Sequence, residues 1–117
     1  MAQLKVFRIL SATALFANVL STGAAAAEDM VRGQEIYEQT CVACHGADGR
    51  GTLPGVPDFT SKNSPMAKDD ALLLLHITDG FQTPGSMMAM PPKGGNSDLT
   101  EEDIKFVIQY IREKYGA

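Results

Sequence analysis

Residues 39–51 read QTCVACHGADGRG and contain both cysteines of the chain and one of its two histidines. Cys41 and Cys44 are separated by two residues, and His45 follows directly. Three side chains that can bind metals or form covalent bonds lie within five positions, which indicates that they act together at one site. The chemistry of this C-x-x-C-H pattern therefore decides what the rest of the chain folds around.

Three common roles of paired cysteines fit this pattern poorly. A disulfide suits an oxidising compartment, but between Cys41 and Cys44 it closes so short a loop that it contributes only about 2 kcal/mol. A redox dithiol normally lies at a strand-to-helix junction, and the sequence shows no convincing strand. A structural zinc ion needs four ligands, and the adjacent Cys44 and His45 are sterically awkward partners for one small ion.

The same pattern is the attachment signature of c-type haem. Two thiols three positions apart on a helical turn reach the two vinyl groups at one edge of the porphyrin and form thioethers. The next side chain then lies beneath the ring, where its imidazole can bind iron. Cys41, Cys44 and His45 are therefore predicted to bind one covalently attached haem c, with His45 as an iron ligand.

Residues 1–27 have the pattern of a secretory signal peptide. Lys5 and Arg8 form a basic start, residues 9–20 are mostly apolar, and small residues close the segment. The apolar run is shorter than the roughly 20 residues of a membrane-spanning helix. We predict cleavage after Ala26 or Ala27, a periplasmic location, and a mature domain of residues 28–117 with no stable membrane insertion. An uncleaved N-terminal anchor is the alternative.

Cleavage leaves eight basic and fourteen acidic residues, a formal charge of −6. Nucleic acids and anionic membranes attract clustered Lys and Arg, so both are disfavoured as partners. Redox proteins that dock through basic patches suit the charge better, and we expect a monomer. A domain of about ninety residues is near the size at which an apolar core alone is marginal, and a buried haem would supply the missing core.

The helical periodicity predicts an all-α domain. Residues 29–39 and 69–79 are predicted helices, and a third follows Thr100, which with Asp103 forms a capping-box pattern. Apolar residues recur at helical spacing along this third helix. The segments between the helices, 46–65 and 80–98, are rich in Gly and Pro and are predicted loops.

A methionine opposite the histidine would raise the reduction potential and fill the last iron site. The candidates lie in SMMAMPPKGG, residues 86–95. Met90 precedes Pro91 and Pro92, which restrict the backbone on its C-terminal side. Met90 is therefore the predicted second ligand, and Met87 and Met88 are expected to pack around the haem or to be exposed. His76 is the alternative ligand, although it lies within a leucine-rich helix.

The stretches GQEIYEQTCVACHGADGRG, VPDF, AMPPKGG and LTEEDIKFVIQYIRE together resemble a class I c-type cytochrome of the bacterial periplasmic kind. The resemblance covers nearly all of residues 30–115, and AMPPKGG resembles the cytochrome c5-like branch. It implies the class I cytochrome c fold, in which three to five short helices wrap around one covalently bound haem. It also implies that the N- and C-terminal helices cross, with Gly33 and Tyr37 against Phe106 or Tyr110.

The resemblance also implies a role for a proline after the haem motif. In that family its carbonyl oxygen accepts a hydrogen bond from the proximal histidine, and Pro57 matches this position best, with Pro54 as the alternative. The resemblance further supports Met90 as the sixth ligand.

The expected function is one-electron transfer between Fe(II) and Fe(III), without enzymatic catalysis. One alternative is a cytochrome subunit of a periplasmic dehydrogenase or sulfur-oxidising enzyme. Another is a gas-binding or peroxide-reducing haem protein, which would require an open iron site.

Overall fold

The computed structural model describes residues 21–116. Helix α1 spans Ser21–Ile36 and continues through a π-helical turn, Tyr37–Cys41, into helix α2, Val42–His45. Helices α3, Asp70–Asp79, and α4, Glu101–Tyr115, follow, and short 3₁₀ turns lie at Pro65–Ala67 and Pro92–Gly95. Within residues 21–116 there is no β-strand, only one isolated bridge. The all-α prediction is confirmed.

The first helix is longer than the predicted 29–39. It begins eight residues earlier at Ser21, since residues 24–27 are alanines, the strongest helix formers. These residues belong to the predicted signal peptide, whose first twenty residues lie outside the described residues. At its other end the helix stops with the CVACH stretch, as predicted, because Gly46 adopts φ +82°. None of the helices described is both long and apolar enough to cross a membrane.

Helices α1 and α4 cross at Gly33. A Cβ atom on Gly33 would lie 2.4 Å from the Phe106 carbonyl oxygen and 2.8 Å from Cβ of Tyr110. One turn further on, the rings of Tyr37 and Tyr110 have centroids 5.6 Å apart. Only glycine permits this close backbone approach. The crossing that the family resemblance implied is therefore confirmed, together with the residues that form it.

Helix α4 contributes the largest share of the core. Its capping box is present, because the Thr100 hydroxyl accepts from the Asp103 N–H and the Asp103 carboxylate accepts from the Thr100 N–H. The apolar residues at helical spacing are buried as predicted; they are Ile104, Val107, Ile108 and Ile111. They pack against Ile36 of α1, Tyr37 of the π-helical turn and Leu73 of α3.

Asp69 is the N-cap of helix α3, and its carboxylate accepts a hydrogen bond of 2.8 Å from the Leu72 N–H. The helix ends at Asp79, and Gly80 follows it with φ +79° and ψ 163°. This positive φ favours glycine over residues with a side chain, and the chain leaves the helix there toward the methionine segment. Among its leucines Leu73 is buried, whereas Leu72 and Leu75 are exposed. The apolar surface of α3 is therefore larger than the polypeptide itself covers.

Candidate haem-binding site

The two cysteines lie on one helical turn and have unlike surroundings. Cys41 is half-buried at the end of the π-helical turn, and Cys44 is exposed on α2. Within residues 21–116 the two thiols are not joined in a disulfide. Burial, assisted by the neighbouring Cys44, raises the pKa of the Cys41 thiol to about 11. A redox dithiol needs a thiolate at neutral pH, so the environment of Cys41 disfavours that role.

The zinc hypothesis also lacks the ligands that it requires. Among the described residues, no group of three His, Cys, Asp or Glu side chains converges on one point. A structural zinc site needs four protein ligands. Cys41, Cys44 and His45 therefore remain as the residues that fit a covalently attached haem.

His45 is buried, with 9% of its surface exposed. Its ring stacks on Phe59, with centroids 4.6 Å apart and planes at 15°. Burial lowers the pKa of His45, which keeps the imidazole neutral and leaves a nitrogen lone pair available to a metal. Within the described part of the chain, Nδ1 is buried without a hydrogen-bond partner. The predicted bond to the carbonyl oxygen of Pro57 or Pro54 is therefore not formed in this structure.

Two tyrosines fix the backbone that follows His45. The Tyr37 hydroxyl donates to the Gly46 carbonyl oxygen at 2.7 Å, and the Tyr115 hydroxyl donates to the Ala47 carbonyl oxygen at 2.9 Å. Burial raises the pKa of Tyr37, so its hydroxyl keeps the proton that it donates. The C-terminal helix and the first helix thereby both hold the turn beside the predicted proximal ligand.

The end of α2 is also held by the loop that follows it. The Thr52 hydroxyl donates to the carbonyl oxygens of Ala43 and Cys44, at 2.9 and 3.0 Å. The Gly51 N–H donates to the His45 carbonyl oxygen at 2.8 Å. Carbonyl groups at a helix end have no partner within the helix, and here the loop supplies one. These bonds hold the carbonyl end of the turn that carries Cys44 and His45.

Met90 is held by backbone pairing with Phe81. The Phe81 N–H donates to the Met90 carbonyl oxygen at 3.0 Å, and the Met90 N–H donates to the Phe81 carbonyl oxygen at 2.8 Å. The Phe81 ring stacks on His76 of α3, with centroids 3.9 Å apart. Gly80 allows the approach, because a Cβ there would lie 2.7 Å from the Met90 carbonyl oxygen. Met90 is thus connected to α3 through Phe81.

The three methionines of this loop differ in exposure. Met87 is wholly exposed, Met88 is 38% exposed, and Met90 is half-buried. The hydrogen bonds of Ser86 organise the turn before Met88, since its hydroxyl donates to the Met88 carbonyl oxygen and accepts from the Met88 N–H. Only Met90 has a backbone pairing partner outside its own turn.

The residues present fit a haem. A neutral imidazole and a thioether sulfur are both established axial ligands of haem iron, and two unpaired thiols lie on the helical turn that ends at His45. Several large apolar side chains are exposed in the polypeptide alone, which suits a large apolar macrocycle; they are Leu53, Leu72, Leu75, Phe81 and Met88. The buried Nδ1 of His45 also remains available for the acceptor that an iron-bound histidine normally has.

Phe59 and Phe81 contact predicted site residues, but neither residue was predicted to belong to the site. Each is a single aromatic residue in a Gly- and Pro-rich loop, two positions after Pro57 and one after Gly80. An aromatic side chain in such a polar segment is a usable signal, since its large apolar surface favours packing against residues outside the loop.

Comparison with known proteins gives the same assignment. The family described as "Cytochrome C oxidase, cbb3-type, subunit III" matches residues 28–111. Cytochrome c-555 of Chlorobaculum tepidum is 30% identical over 89% of this chain and 94% of its own length. Cytochrome c6 of Gracilaria tenuistipitata var. liui is 33% identical over 75% of each chain.

A larger relative also matches. The cbb3-type cytochrome c oxidase subunit CcoP of Azospirillum brasilense is 38% identical over 85% of this chain, which covers 32% of that subunit. A domain of this kind thus occurs both alone and within a longer subunit. From the family match and the small relatives together, the chain belongs to the class I c-type cytochromes: it is an electron carrier with covalently bound haem c, not an enzyme.

Proposed function

We propose that this protein is a periplasmic one-electron carrier whose haem is attached through Cys41 and Cys44 and whose iron is held between His45 and Met90. When bound, the haem supplies a single-electron Fe(II)/Fe(III) couple, and the protein supplies binding, orientation and potential. The secretory pattern of residues 1–27 supports the location. The charge of −6 on residues 28–117 supports docking on basic partner surfaces.

The pairing of Met90 with Phe81 carries the ligand assignment. Two backbone hydrogen bonds fix Met90 itself, and Pro91 and Pro92 restrict the backbone directly after it. A side chain on a restrained backbone loses less conformational freedom when its sulfur is ligated. Coordination then changes little between the two oxidation states, which suits electron transfer.

We further propose that the Pro57 carbonyl oxygen accepts the Nδ1 proton of His45 in the haem-loaded protein. A buried N–H without an acceptor costs roughly 1–3 kcal/mol, so Nδ1 requires a partner. Residues near Pro57 are already close to the turn after His45. The Phe59 N–H donates to the Gly49 carbonyl oxygen at 2.8 Å, and Gly51 lies against the Val56 carbonyl. A small movement of this loop would then orient the imidazole, as second-shell partners do for other metal ligands.

Replacing Met90 with Ala tests the ligand assignment. The weak far-red sulfur-to-iron band of the ferric protein is expected to disappear, the potential to fall, and the reduced protein to bind carbon monoxide readily. Met87→Ala and Met88→Ala are the matched controls and should retain the band. If Met90→Ala retains the band while either control loses it, the assignment to Met90 is wrong. Strong carbon monoxide binding by the unmodified protein would instead support an open-site haem protein.

The docking proposal follows from the ion pairs that the basic side chains form with acidic ones. Arg32 pairs with Asp103 at 3.0 Å, Lys105 pairs with Glu101 at 2.5 Å, and Arg112 pairs with Asp70. Each pair uses one basic and one acidic residue, so outside these pairs the mature domain has five basic and eleven acidic residues, and the surface field is dominated by acidic groups. Electron transfer to a basic partner should therefore slow as ionic strength rises. Stopped-flow rates that stay constant or increase with salt would argue against this mode of docking.

A second candidate function is that of a subunit in a larger redox enzyme. The observation that favours it is the match to a cbb3-type oxidase subunit, of which the chain covers 32%. Gel filtration of the protein from its native source separates the two functions. A free carrier elutes alone at the size of a monomer, whereas a subunit elutes with its catalytic partner.

A further inference from the structure

The segment after Met90 contacts the helix that carries the cysteines. The 3₁₀ turn Pro92–Gly95 packs between α3 and the π-helical turn Tyr37–Cys41. Thr40 of the π-helical turn lies directly before Cys41, and Gly94 lies four residues after Met90. These two residues meet closely, because a Cβ on Gly94 would lie 3.0 Å from Cγ2 of Thr40. Gly94 also adopts φ +64°, which a glycine tolerates without strain.

A hydrogen bond joins the same two segments. Nδ2 of Asn96 donates to Oγ1 of Thr40 at 3.3 Å, between residues 56 positions apart in the chain. Asn96 is itself fixed, since its backbone N–H donates to the Lys93 carbonyl oxygen at 3.1 Å and its Oδ1 accepts from the Asp98 N–H at 3.2 Å. The side-chain amide that contacts Thr40 is therefore held in place relative to the rest of the turn.

We propose that Thr40, Gly94 and Asn96 form a latch that holds the Met90 loop against the helix bearing the haem-attachment residues. The inference rests on the proposed ligation by Met90. The Phe81–Met90 pairing restrains the loop before the two prolines, and the latch restrains it after them. Thr40 acts here as a positioning residue, because it contacts the loop at Gly94 and Asn96 and is not one of the proposed iron ligands. Its role is to limit how often the Met90 sulfur leaves its ligand position.

Cyanide binding to the ferric holoprotein measures this opening, since cyanide binds only while the sulfur is away from the iron. Thr40→Val keeps the size of the side chain and removes the hydroxyl that accepts from Asn96. The second-order rate constant for cyanide binding is expected to rise roughly five-fold, which corresponds to about 1 kcal/mol, the typical net contribution of one hydrogen bond. Thr40→Ser keeps the hydroxyl and should change the rate constant by less than two-fold.

Two further variants keep the test independent of haem attachment. Asn96→Ala leaves the residue beside Cys41 unchanged and should raise the rate constant at least as much as Thr40→Val. The double variant Thr40→Val/Asn96→Ala should exceed Asn96→Ala by less than two-fold, because both changes break the same bond. Thr100→Val, which removes the cap of α4, is the control: it lowers the melting temperature by circular dichroism without speeding cyanide binding.

The outcomes separate the latch from the ligand assignment. If Thr40→Val binds cyanide at the unmodified rate, or if its rate rises only in proportion to lost global stability, the latch is rejected. If Met90→Ala retains the far-red band, the ligand assignment fails and the latch fails with it. If Met90→Ala loses the band while the Thr40 and Asn96 variants bind cyanide normally, Met90 remains the ligand and the latch alone is rejected.

Discussion

The two predicted iron ligands are held by contrasting parts of the molecule. His45 ends a continuous helical segment, and its neighbours are fixed by tyrosine hydroxyls from two helices and by the loop at Thr52. Met90 lies in a loop that is held at a few separate points, mainly Phe81 and the contacts of Thr40. Regions with few buried contacts open at lower free energy than the global transition. Substitutions around His45, the histidine side, should therefore destabilise the whole fold. Substitutions in the loop around Met90, the methionine side, should affect iron ligation first.

The largest effect is expected from the histidine side. Cys41→Ala or Cys44→Ala should sharply reduce the yield of holoprotein, and His45→Ala should leave little stable fold. The reason is that several large apolar side chains, including Leu72 and Leu75, are exposed in the polypeptide alone. Yield is measured by haem absorbance per protein, and folding by resistance to proteolysis.

Met87→Ala is a suitable reference for these variants, because its side chain is wholly exposed. It should load haem and resist proteolysis like the unmodified protein. A double cysteine variant that is well folded and resists proteolysis without haem would show that the haem is not part of the core, contrary to our interpretation.

The same contrast explains what the sequence could predict. Cys41, Cys44 and His45 are neighbours in the chain, so their spacing alone indicates the group that they bind. The prediction of Met90 also used local information, since the adjacent prolines restrict the backbone there. The contacts of Phe81 with Met90 and of Thr40 with Asn96 join segments that are distant in sequence, and no local pattern encodes such pairs.

The fold shows the same limits. The capping box at Thr100 and the spacing of apolar residues in α4 predicted that helix correctly, because both signals are local. The start of α1 was placed too late, since residues 21–28 carry no apolar periodicity although alanine favours helix there. The π-helical turn also went unpredicted. It inserts one extra residue into a turn without any marker residue of its own.

Two glycine substitutions distinguish an effect on the global fold from an effect on the Met90 loop. Gly33→Ala places a Cβ within 2.4 Å of the Phe106 carbonyl oxygen at the helix crossing. Backbone must move to accommodate it, so global stability should fall by roughly 3 kcal/mol, as for overpacked cores. Gly80→Ala places a Cβ 2.7 Å from the Met90 carbonyl oxygen, so it should weaken the far-red band while the far-ultraviolet circular dichroism is retained.

Gly85 provides the control for backbone strain. It adopts φ +84° in the same loop, but a Cβ there has no atom within 4 Å among the described residues. Gly85→Ala therefore carries the conformational cost of a positive φ, roughly 1–2 kcal/mol, without a collision, and should retain the band. If Gly80→Ala and Gly85→Ala behave alike, the Phe81–Met90 pairing does not position the ligand.

The smallest effect concerns Lys93, a non-glycine residue with positive φ in the described chain, at φ 54° and ψ 28°. The left-handed region costs a side-chain-bearing residue roughly 1–2 kcal/mol. Lys93→Gly and Lys93→Ala both lose the bond from Nζ to the Ser97 carbonyl oxygen, so they differ mainly in this backbone cost. The far-red band is followed as denaturant is added to each variant. Lys93→Gly should lose the band at a higher denaturant concentration than Lys93→Ala, by an amount that corresponds to about 1 kcal/mol of local stability. Lys105, exposed in α4, gives the opposite order, because glycine within a helix is less stable than alanine by roughly 0.5–1 kcal/mol. Opposite orders at the two positions would show that the turn after Met90 keeps its left-handed geometry in the loaded protein, and the same order at both would show that it does not.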